Sequence, residues 1–304
     1  MSSQVPHLSV MQEEVLSLLN PQENKLYVDA TFGAGGHTQA ILNASSRSKV
    51  IGLDRDPSVI TFAEKVTEGF GNRFQFINCK FSEISDILDS QVDGFLFDIG
   101  VSSMQINKAE RGFSFMRDGP LTMTMGRNKM SAYELVNRYR EEHIAEIILK
   151  YGDERAAPKI AKAICHHRRS SPISSTLQLA DIIKSVVPKR RKIHPATLTF
   201  QAIRVFINDE LYELEVGLES ALQKVAVGGR IVVITFQGLE DKIVKDIFKK
   251  YTYREHQNKF KKSESSQDRA FDNLVKGSLK PSRGEIRRNP RARSAKIRAV
   301  IRIR

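Results

Sequence analysis

The chain of 304 residues carries 48 Lys and Arg against 35 Asp and Glu, a net charge of +13, and 40% of its residues are apolar. No run approaches the ~20 apolar residues that a membrane span requires, and two distant cysteines, Cys79 and Cys165, indicate neither a disulfide framework nor a zinc site. Met-Ser-Ser-Gln-Val-Pro-His7 has no basic-then-apolar leader, so a reducing cytosol is the expected compartment.

Apolar residues at 8, 11, 15, 18 and 19 recur with a helical period, and Asn20-Pro21 stops the helix. Leu26 to Ala30 reads as a buried strand. It is followed by Thr31-Phe-Gly-Ala-Gly-Gly-His37 and then by a helix through Ala40, Ile41 and Leu42. Gly33, Gly35 and Gly36 let the backbone take positive φ and approach a ligand closely. The helix start behind them offers N–H groups and a positive dipole end. Strand, glycine turn and helix form the nucleotide cradle of a doubly wound α/β fold.

A second strand, Val50 to Asp54, ends in an acid 21 residues after Gly33. That is where a carboxylate accepts hydrogen bonds from ribose hydroxyls. Ribose occurs in both NAD and S-adenosyl-L-methionine, so Asp54 alone does not choose between them. A dinucleotide fingerprint would carry glycine where Thr38 stands, and the compact turn favours the methyl donor.

Asp56-Pro57 opens the next helix. Phe74–Asn78 is a third strand, Phe81–Leu88 a short helix, and Val92–Asp98 a fourth strand closed by an acid. Four strands alternating with helices predict a parallel sheet. Asp29, Asp54 and Asp98 are then expected to converge on one crevice at the strands' carboxyl ends.

From Ile99 to Lys192 no fifth strand is legible. A turn-rich stretch, Arg111 to Pro120, precedes helical patterns over 131–139, 141–151, 158–167 and 176–187, with Ser131 and Ser174-Ser175-Thr176 as caps. The alternation resumes at His194-Pro195 with one long helix to about Lys224. A strand over 228–235, a helix over 239–250 and a last strand near 299–303 follow. Residues 255–294 are polar and basic and read as a flexible surface excursion. The expected division is thus a discontinuous core, 1–104 with 194–304, around an inserted helical substrate domain, 105–193.

Charge follows the same division. Residues 242–304 hold 20 basic and 6 acidic side chains, residues 127–192 hold 15 and 7, and the remainder holds 13 and 22. An acidic core with two basic attachments points to a polyanionic partner.

Asp98 is a candidate for holding an exocyclic amine, for holding the cofactor, or for capping its strand. Accepting an amine's hydrogens draws its lone pair out of conjugation and aims the nitrogen at a methyl donor. Phe113 and Phe115 between Arg111 and Arg117 suit an extruded base with its phosphates, or else core packing. Lys189, Arg190, Arg191 and Lys192 run into the helix at His194-Pro195 and suit phosphate contact. The seven histidines show no H-x-x-x-H spacing, so no metal is expected.

Several strings occur in order across the chain: Thr31-Phe-Gly-x-Gly-Gly-His37, Asp54-Arg-Asp-Pro57, Asp98-x-Gly-Val-Ser-Ser103 with Gln105, Arg111-Gly-Phe-Ser-Phe-Met-Arg-Asp-Gly-Pro-Leu121, His194-Pro-Ala-Thr197, Leu239-Glu-Asp241 and Asn289-Pro-Arg-Ala-Arg-Ser294. Together they resemble the RsmH (MraW) family of bacterial 16S rRNA cytosine-N(4) methyltransferases. The resemblance implies a class I S-adenosyl-L-methionine-dependent methyltransferase core, Rossmann-like, with an inserted helical domain. It implies a decoding-centre cytosine of 16S rRNA in the small ribosomal subunit as substrate, in the bacterial cytoplasm, and it leaves a homodimer open. Carried over by motif, the cofactor contacts are Gly35, Gly36, His37, Asp54, Phe81, Asp98 and Gln105, with Phe81 against the adenine. Read on its own, Phe81 is a core residue. The RNA-facing candidates are Arg111, Phe113, Phe115, Arg117, Lys189, Arg190, Arg191, Lys192 and His194.

The chain departs from the family's usual pattern at Thr122 and Thr124 (for an acid and a base), at Leu198 (for an arginine), at Gln237 (for a histidine) and at Met104 (for a proline). The departures lie on the substrate side, so reduced or redirected methylation is one expectation. A non-catalytic assembly factor on the same fold and an NAD-dependent oxidoreductase are the alternatives.

Overall fold

The computed structural model describes residues 9–126, 130–187, 193–252 and 269–304. Helix α1 (Gln12–Leu19) ends at Asn20, whose left-handed backbone turns its N–H onto Leu16 O. Strand β1 (Leu26–Asp29), helix α2 (Gly36–Ala44), β2 (Lys49–Leu53), α3 (Ile60–Phe70), β3 (Phe74–Ile77), α4 (Ile84–Ile87) and β4 (Val92–Asp98) follow in strict alternation. At the approach to α3 the Asp56 carboxylate accepts the Ser58 N–H at 3.0 Å, with Pro57 next in line, as a helix entry requires.

A run of helices comes next among the described residues: α5 (Ser103–Asn107), α6 (Ala132–Arg138), α7 (Glu141–Gly152), α8 (Ala157–His167), α9 (Thr176–Val186) and α10 (Thr197–Ile207). Ser131 caps α6 in a reciprocal pair with Glu134, and Ser175 caps α9 through the Gln178 N–H. The chain then runs through α11 (Glu210–Lys224), β5 (Val225–Thr235), α12 (Gly238–Thr252), β6 (Phe271–Asn273), α13 (Arg283–Arg288) and β7 (Lys296–Arg302).

These strands form one sheet in the order β3-β2-β1-β4-β5-β7-β6. Strands β1 to β5 pair in parallel, and β7 runs antiparallel to both β5 and β6. Strand β4 lies between β1 and β5, and Phe95, Leu96 and Phe97 are wholly buried, as befits a central strand covered on both faces. The order reverses between β1 and β4, the switch point where open α/β sheets hold their ligands. This is the α/β, Rossmann-like arrangement anticipated above.

The chain divides into two compact units, Met1–Gly100 with Leu211–Arg304, and Val101–Glu210. The expected boundary at 193/194 is therefore displaced, because the single long helix expected there is two. Asp209 takes a left-handed backbone (φ 51°), and the buried Asn208 side chain fills the break. Its Oδ1 accepts the Met125 N–H at 2.7 Å, and its Nδ2 donates to Met123 O and Arg204 O, each at 2.8 Å. Helix α10 thus belongs to the second unit, where Phe200, Ile203 and Ile207 join the cluster built on Leu135, Ile144 and Ile160. The first unit has its own core around Val28, Phe95, Phe97, Leu214 and Ile231.

The expected flexible excursion over 255–294 is corrected in part. Residues 253–268 lie outside the described residues, whereas 269 onward is folded. Strand β6 pairs with β7, Leu279 bridges Ile297, and Phe271, Ala292 and Ala295 are buried. Few apolar residues suffice here because they fall where the segment meets the sheet's edge.

Asn208→Ala strands the Met125 N–H and the Met123 carbonyl in a dry interior. The expected loss is about 3 kcal/mol of stability, read as a lower urea midpoint with unchanged helical circular dichroism at zero denaturant.

Candidate cofactor and catalytic site

The carboxyl ends of β1, β2 and β4 meet at the switch point, and the glycine turn after β1 covers them. Phe32 decides why glycine is needed there. Its ring stacks on Phe74 (centroids 5.4 Å apart) and packs against Phe76 (5.3 Å). A Cβ on Gly35 would lie 2.8 Å from Phe32 Cζ, and Gly35 has φ +77°. A Cβ on Gly36 would lie 2.2 Å from Ser9 Oγ. Bare backbone therefore faces the start of α2, whose first N–H groups have no partner within the helix. The Phe32, Phe74 and Phe76 packing escaped the sequence reading. Its signal was an aromatic residue recurring on β3 opposite the turn.

Asp54, just past β2, accepts the Gly33 N–H at 2.8 Å through Oδ2 and the Asp56 N–H at 2.9 Å through Oδ1. Burial pushes its carboxyl up to about 6, helped by the charges of Asp56 and Asp29 and opposed by those two hydrogen bonds.

Asp29 does not face a ligand, and here the expectation of three carboxylates lining the crevice is corrected. It is 1% exposed. Its Oδ2 accepts the Thr38 hydroxyl at 2.7 Å and its Oδ1 accepts the Thr31 N–H at 3.3 Å. Asp29 thereby ties the first turn of α2 to β1. Burial raises its pKa, with His37 as the largest opposing influence.

His37 is buried and, among the described residues, has no hydrogen-bond partner at either ring nitrogen; its Nε2 lies 3.5 Å from Asp98 Oδ2, at ion-pair rather than hydrogen-bond geometry. Burial presses its pKa down, but Asp98 and then Asp29 outweigh this and hold it above the ordinary histidine value. Asp98 closes β4. Its N–H donates to the Thr31 hydroxyl at 2.6 Å, and its buried Oδ1 has no hydrogen-bond partner among the described residues. A carboxylate oxygen kept out of water without a donor is costly, so this atom is set to receive one from a ligand.

Phe81, half-buried, packs edge-on against Phe97 at 5.9 Å. It sits over Gly217 of α11, where a Cβ would come within 2.6 Å of Phe81 Cδ2 and 2.9 Å of Phe81 O. One turn earlier on α11, Glu213 accepts Lys80 Nζ at 2.9 Å. Gly217 and Glu213 were not anticipated, since α11 is remote in sequence from Phe81. Cys79 is no nucleophile: burial first, then Glu83 and Asp54, push its thiol up to about 12.

The remaining candidates belong to the second unit. Gln105 is buried, and its Oε1 accepts the Ser102 N–H at 3.0 Å in a capping box at the start of α5. The Arg111–Leu121 loop closes on itself, because a Cβ on Gly112 would lie 2.1 Å from Pro120 O and one on Gly119 1.9 Å from Ala109 O. Within it, Arg111 Nη2 donates to Thr124 O at 2.9 Å, and its guanidinium lies 5.6 Å from the centre of the Phe113 ring. Phe113 and Phe115 are half-buried against the unit's core. Phe115 stacks on the exposed His194 ring at 4.5 Å and meets Phe200 edge-on. Arg117 is exposed. Lys189, Arg190, Arg191 and Lys192 lie outside the described residues.

The first unit thus sets Gly35, Gly36 and His37 after β1, Asp54 after β2, Phe81 after β3 and Asp98 at the end of β4. A glycine turn, a buried carboxylate, an aromatic face and an acid with one unpartnered oxygen suit an adenosyl group. Among the described residues no group of three or more His, Cys, Asp or Glu is placed to hold a metal ion.

Residues 4–303 match the MraW methylase family. The chain is 46% identical to the "Ribosomal RNA small subunit methyltransferase H" of Ehrlichia canis (strain Jake), over 98% of this chain and all of that one. It is 45% identical to the like-named protein of Wolbachia pipientis subsp. Culex pipiens (strain wPip), over 98% and 99%. With that of Maricaulis maris (strain MCS10) the figures are 44%, 99% and 92%.

Gly217→Ala drives a methyl group into Phe81 and its carbonyl. The expected result is about tenfold weaker binding of S-adenosylhomocysteine by calorimetry, ~1.4 kcal/mol, with the circular dichroism spectrum retained.

Proposed function

The chain belongs to the MraW methylase family, and we propose that it methylates the N(4) amino group of a decoding-centre cytosine in 16S rRNA. S-adenosyl-L-methionine is the methyl donor, and when bound it supplies an electrophilic methyl on a sulfonium. The observation that carries the reading at the level of chemistry is Asp98, a carboxylate at the end of the central strand with one oxygen buried and unpartnered.

In this reading Gly35, Gly36 and the N–H groups at the start of α2 receive the donor's amino-acid end. Asp54 accepts the ribose hydroxyls, and Phe81 lies against the adenine. Asp98 accepts the cytosine amine's hydrogen, turns the nitrogen lone pair out of the ring's conjugation, and takes the proton that the nitrogen sheds. His37, with Nε2 3.5 Å from Asp98 Oδ2, holds the Asp98 carboxylate in place. Arg111, Phe113, Phe115, Arg117 and His194, with the basic run over 189–192, contact the RNA. No step requires a second copy of the chain.

No helix among the described residues is long and apolar enough to cross a membrane, and we place the reaction in the bacterial cytoplasm on the small subunit. Family membership favours neither the oxidoreductase nor the non-catalytic alternative.

Small subunits incubated with the protein and S-adenosyl-L-methionine should yield N(4)-methylcytidine by nucleoside mass spectrometry, and absence of that product refutes the assignment. Asp98→Ala should lower turnover about a hundredfold or more while shifting S-adenosylhomocysteine affinity far less. An unchanged rate would remove Asp98 from the chemistry.

Asp54 sets a pH dependence. Above about 6 its carboxylate is ionised and both oxygens accept hydrogen bonds; below, one oxygen carries a proton. Affinity for S-adenosylhomocysteine should therefore hold from pH 8 to 7 and fall below pH 6 by up to about tenfold per unit. Asp54→Asn should bind weakly without that step.

A further inference from the structure

The segment from Ser282 to Ser294 is too ordered to be a solvated tail and too basic to be a packing element. Helix α13 begins where the Ser282 hydroxyl accepts the Glu285 N–H at 3.0 Å. It ends at Asn289, whose N–H returns to Glu285 O at 2.7 Å. A 3-10 turn, Pro290–Ser294, continues from it, with Ala292 N–H on Asn289 O and Ala295 N–H on Ala292 O. Asn289, Ala292 and Ala295 are buried. Their spacing of three is the period of a 3-10 helix, so one edge of the segment is pinned to the fold and the others are turned outward. Arg283, Arg287, Arg288, Arg291 and Arg293 occupy those outward positions, and all five are exposed. The acid among them is Glu285, whose Oε2 lies 3.7 Å from Arg288 Nη2.

Glu285 also ties the segment to the donor cradle. Its Oε1 accepts the Met11 N–H at 3.3 Å. Met11 is wholly buried in a left-handed conformation (φ 51°), which fixes the residues on either side. Ser9 brings its hydroxyl against Gly36, and Gln12 Nε2 donates to Gly36 O at 3.3 Å. The arginines are therefore linked, through Glu285 and the Ser9–Gln12 segment, to the first residue of α2.

We infer that residues 283–293 form a pre-ordered arginine platform beside the donor cradle that grips the phosphate backbone of the substrate RNA. This rests on the proposed rRNA methylation. Guanidinium groups suit phosphate oxygens, which they can bind through two parallel hydrogen bonds. Phosphate contacts set register and orientation without reading sequence. Holding arginines on a folded edge spares the ordering cost that a disordered basic tail incurs on binding. The strand that presents its cytosine to Asp98 thus has its backbone held by the unit that carries the donor.

The test uses the full-length protein with Arg283, Arg287 and Arg293 all changed to Ala, and a second variant with all three changed to Lys. Binding to small ribosomal subunits is measured from 50 to 300 mM salt, and binding of S-adenosylhomocysteine by calorimetry. The Ala variant is expected to bind subunits at least tenfold more weakly at the lowest salt. Its plot of log affinity against log salt should be shallower by about 3, roughly one for each phosphate no longer neutralised. The Lys variant should recover most of the slope, and S-adenosylhomocysteine affinity should stay within twofold in both. Unchanged subunit affinity and slope in the Ala variant would overturn the proposal. Parallel weakening of S-adenosylhomocysteine binding would overturn it too, by showing that the segment supports the cradle instead. Wild-type protein that binds subunits through these arginines yet leaves no N(4)-methylcytidine would sustain the platform and refute the methylation reading.

Discussion

A histidine ring buried beside two carboxylates governs the cofactor side of this protein. His37 stands on the first turn of α2, Asp98 ends β4, and Asp29 ends β1 beneath them. Burying any one of the three as an isolated charge would be expensive. Together they offset one another: the acids hold the imidazole pKa above the ordinary histidine value, and His37 opposes the rise that burial imposes on Asp29. Thr31 and Thr38 complete the arrangement by giving Asp98 N–H an acceptor and Asp29 a donor. Among the described residues the cluster leaves Asp98 Oδ1 and both ring nitrogens of His37 without a hydrogen-bond partner.

Beneath the turn the constraint is steric. Phe32 fills the space that side chains at 35 and 52 would need, a Cβ on Gly52 lying 2.8 Å from Phe32 Cδ2. The glycines therefore serve two ends, leaving backbone open to a ligand above and admitting an aromatic packing layer below. Gly217 repeats the device on α11, where its missing side chain gives Phe81 a bed. The Phe81 ring is thus supported from behind by a residue 136 positions away in sequence.

The substrate-side departures from the family pattern have been taken into the structure. Thr122 donates its hydroxyl to Arg111 O at 2.7 Å, and the Thr124 carbonyl accepts the Arg111 guanidinium. The Thr122 side chain and the Thr124 main chain thus fix the Arg111 loop by hydrogen bonds. Leu198 lies where α10 crosses close to α7, its carbonyl 2.6 Å from a Cβ placed on Gly152. Gln237 donates its N–H to Glu240 Oε2 at 3.0 Å, at the entry to α12. What these exchanges change is the charge offered to RNA; the loops that carry them remain organised.

The sequence by itself determined the alternation of strands and helices through β4, the glycine cradle, Asp54 and Asp98 at strand ends, and the helical character of the second unit. Each of these is written in local periodicity or in turn chemistry, which neighbouring residues decide among themselves. Tertiary structure alone decided that Asp29 is an internal tie, that Asn208 breaks one expected helix into two and moves the unit boundary to Glu210, and that the arginines of 283–293 sit on a folded edge. Those outcomes depend on partners distant in the chain: Thr38 against Asp29, Met123 and Met125 against Asn208, Met11 against Glu285. A linear reading sees which groups want partners. Only the packed fold shows which groups find them, because burial and hydrogen bonding between remote segments exist only once the chain has closed on itself.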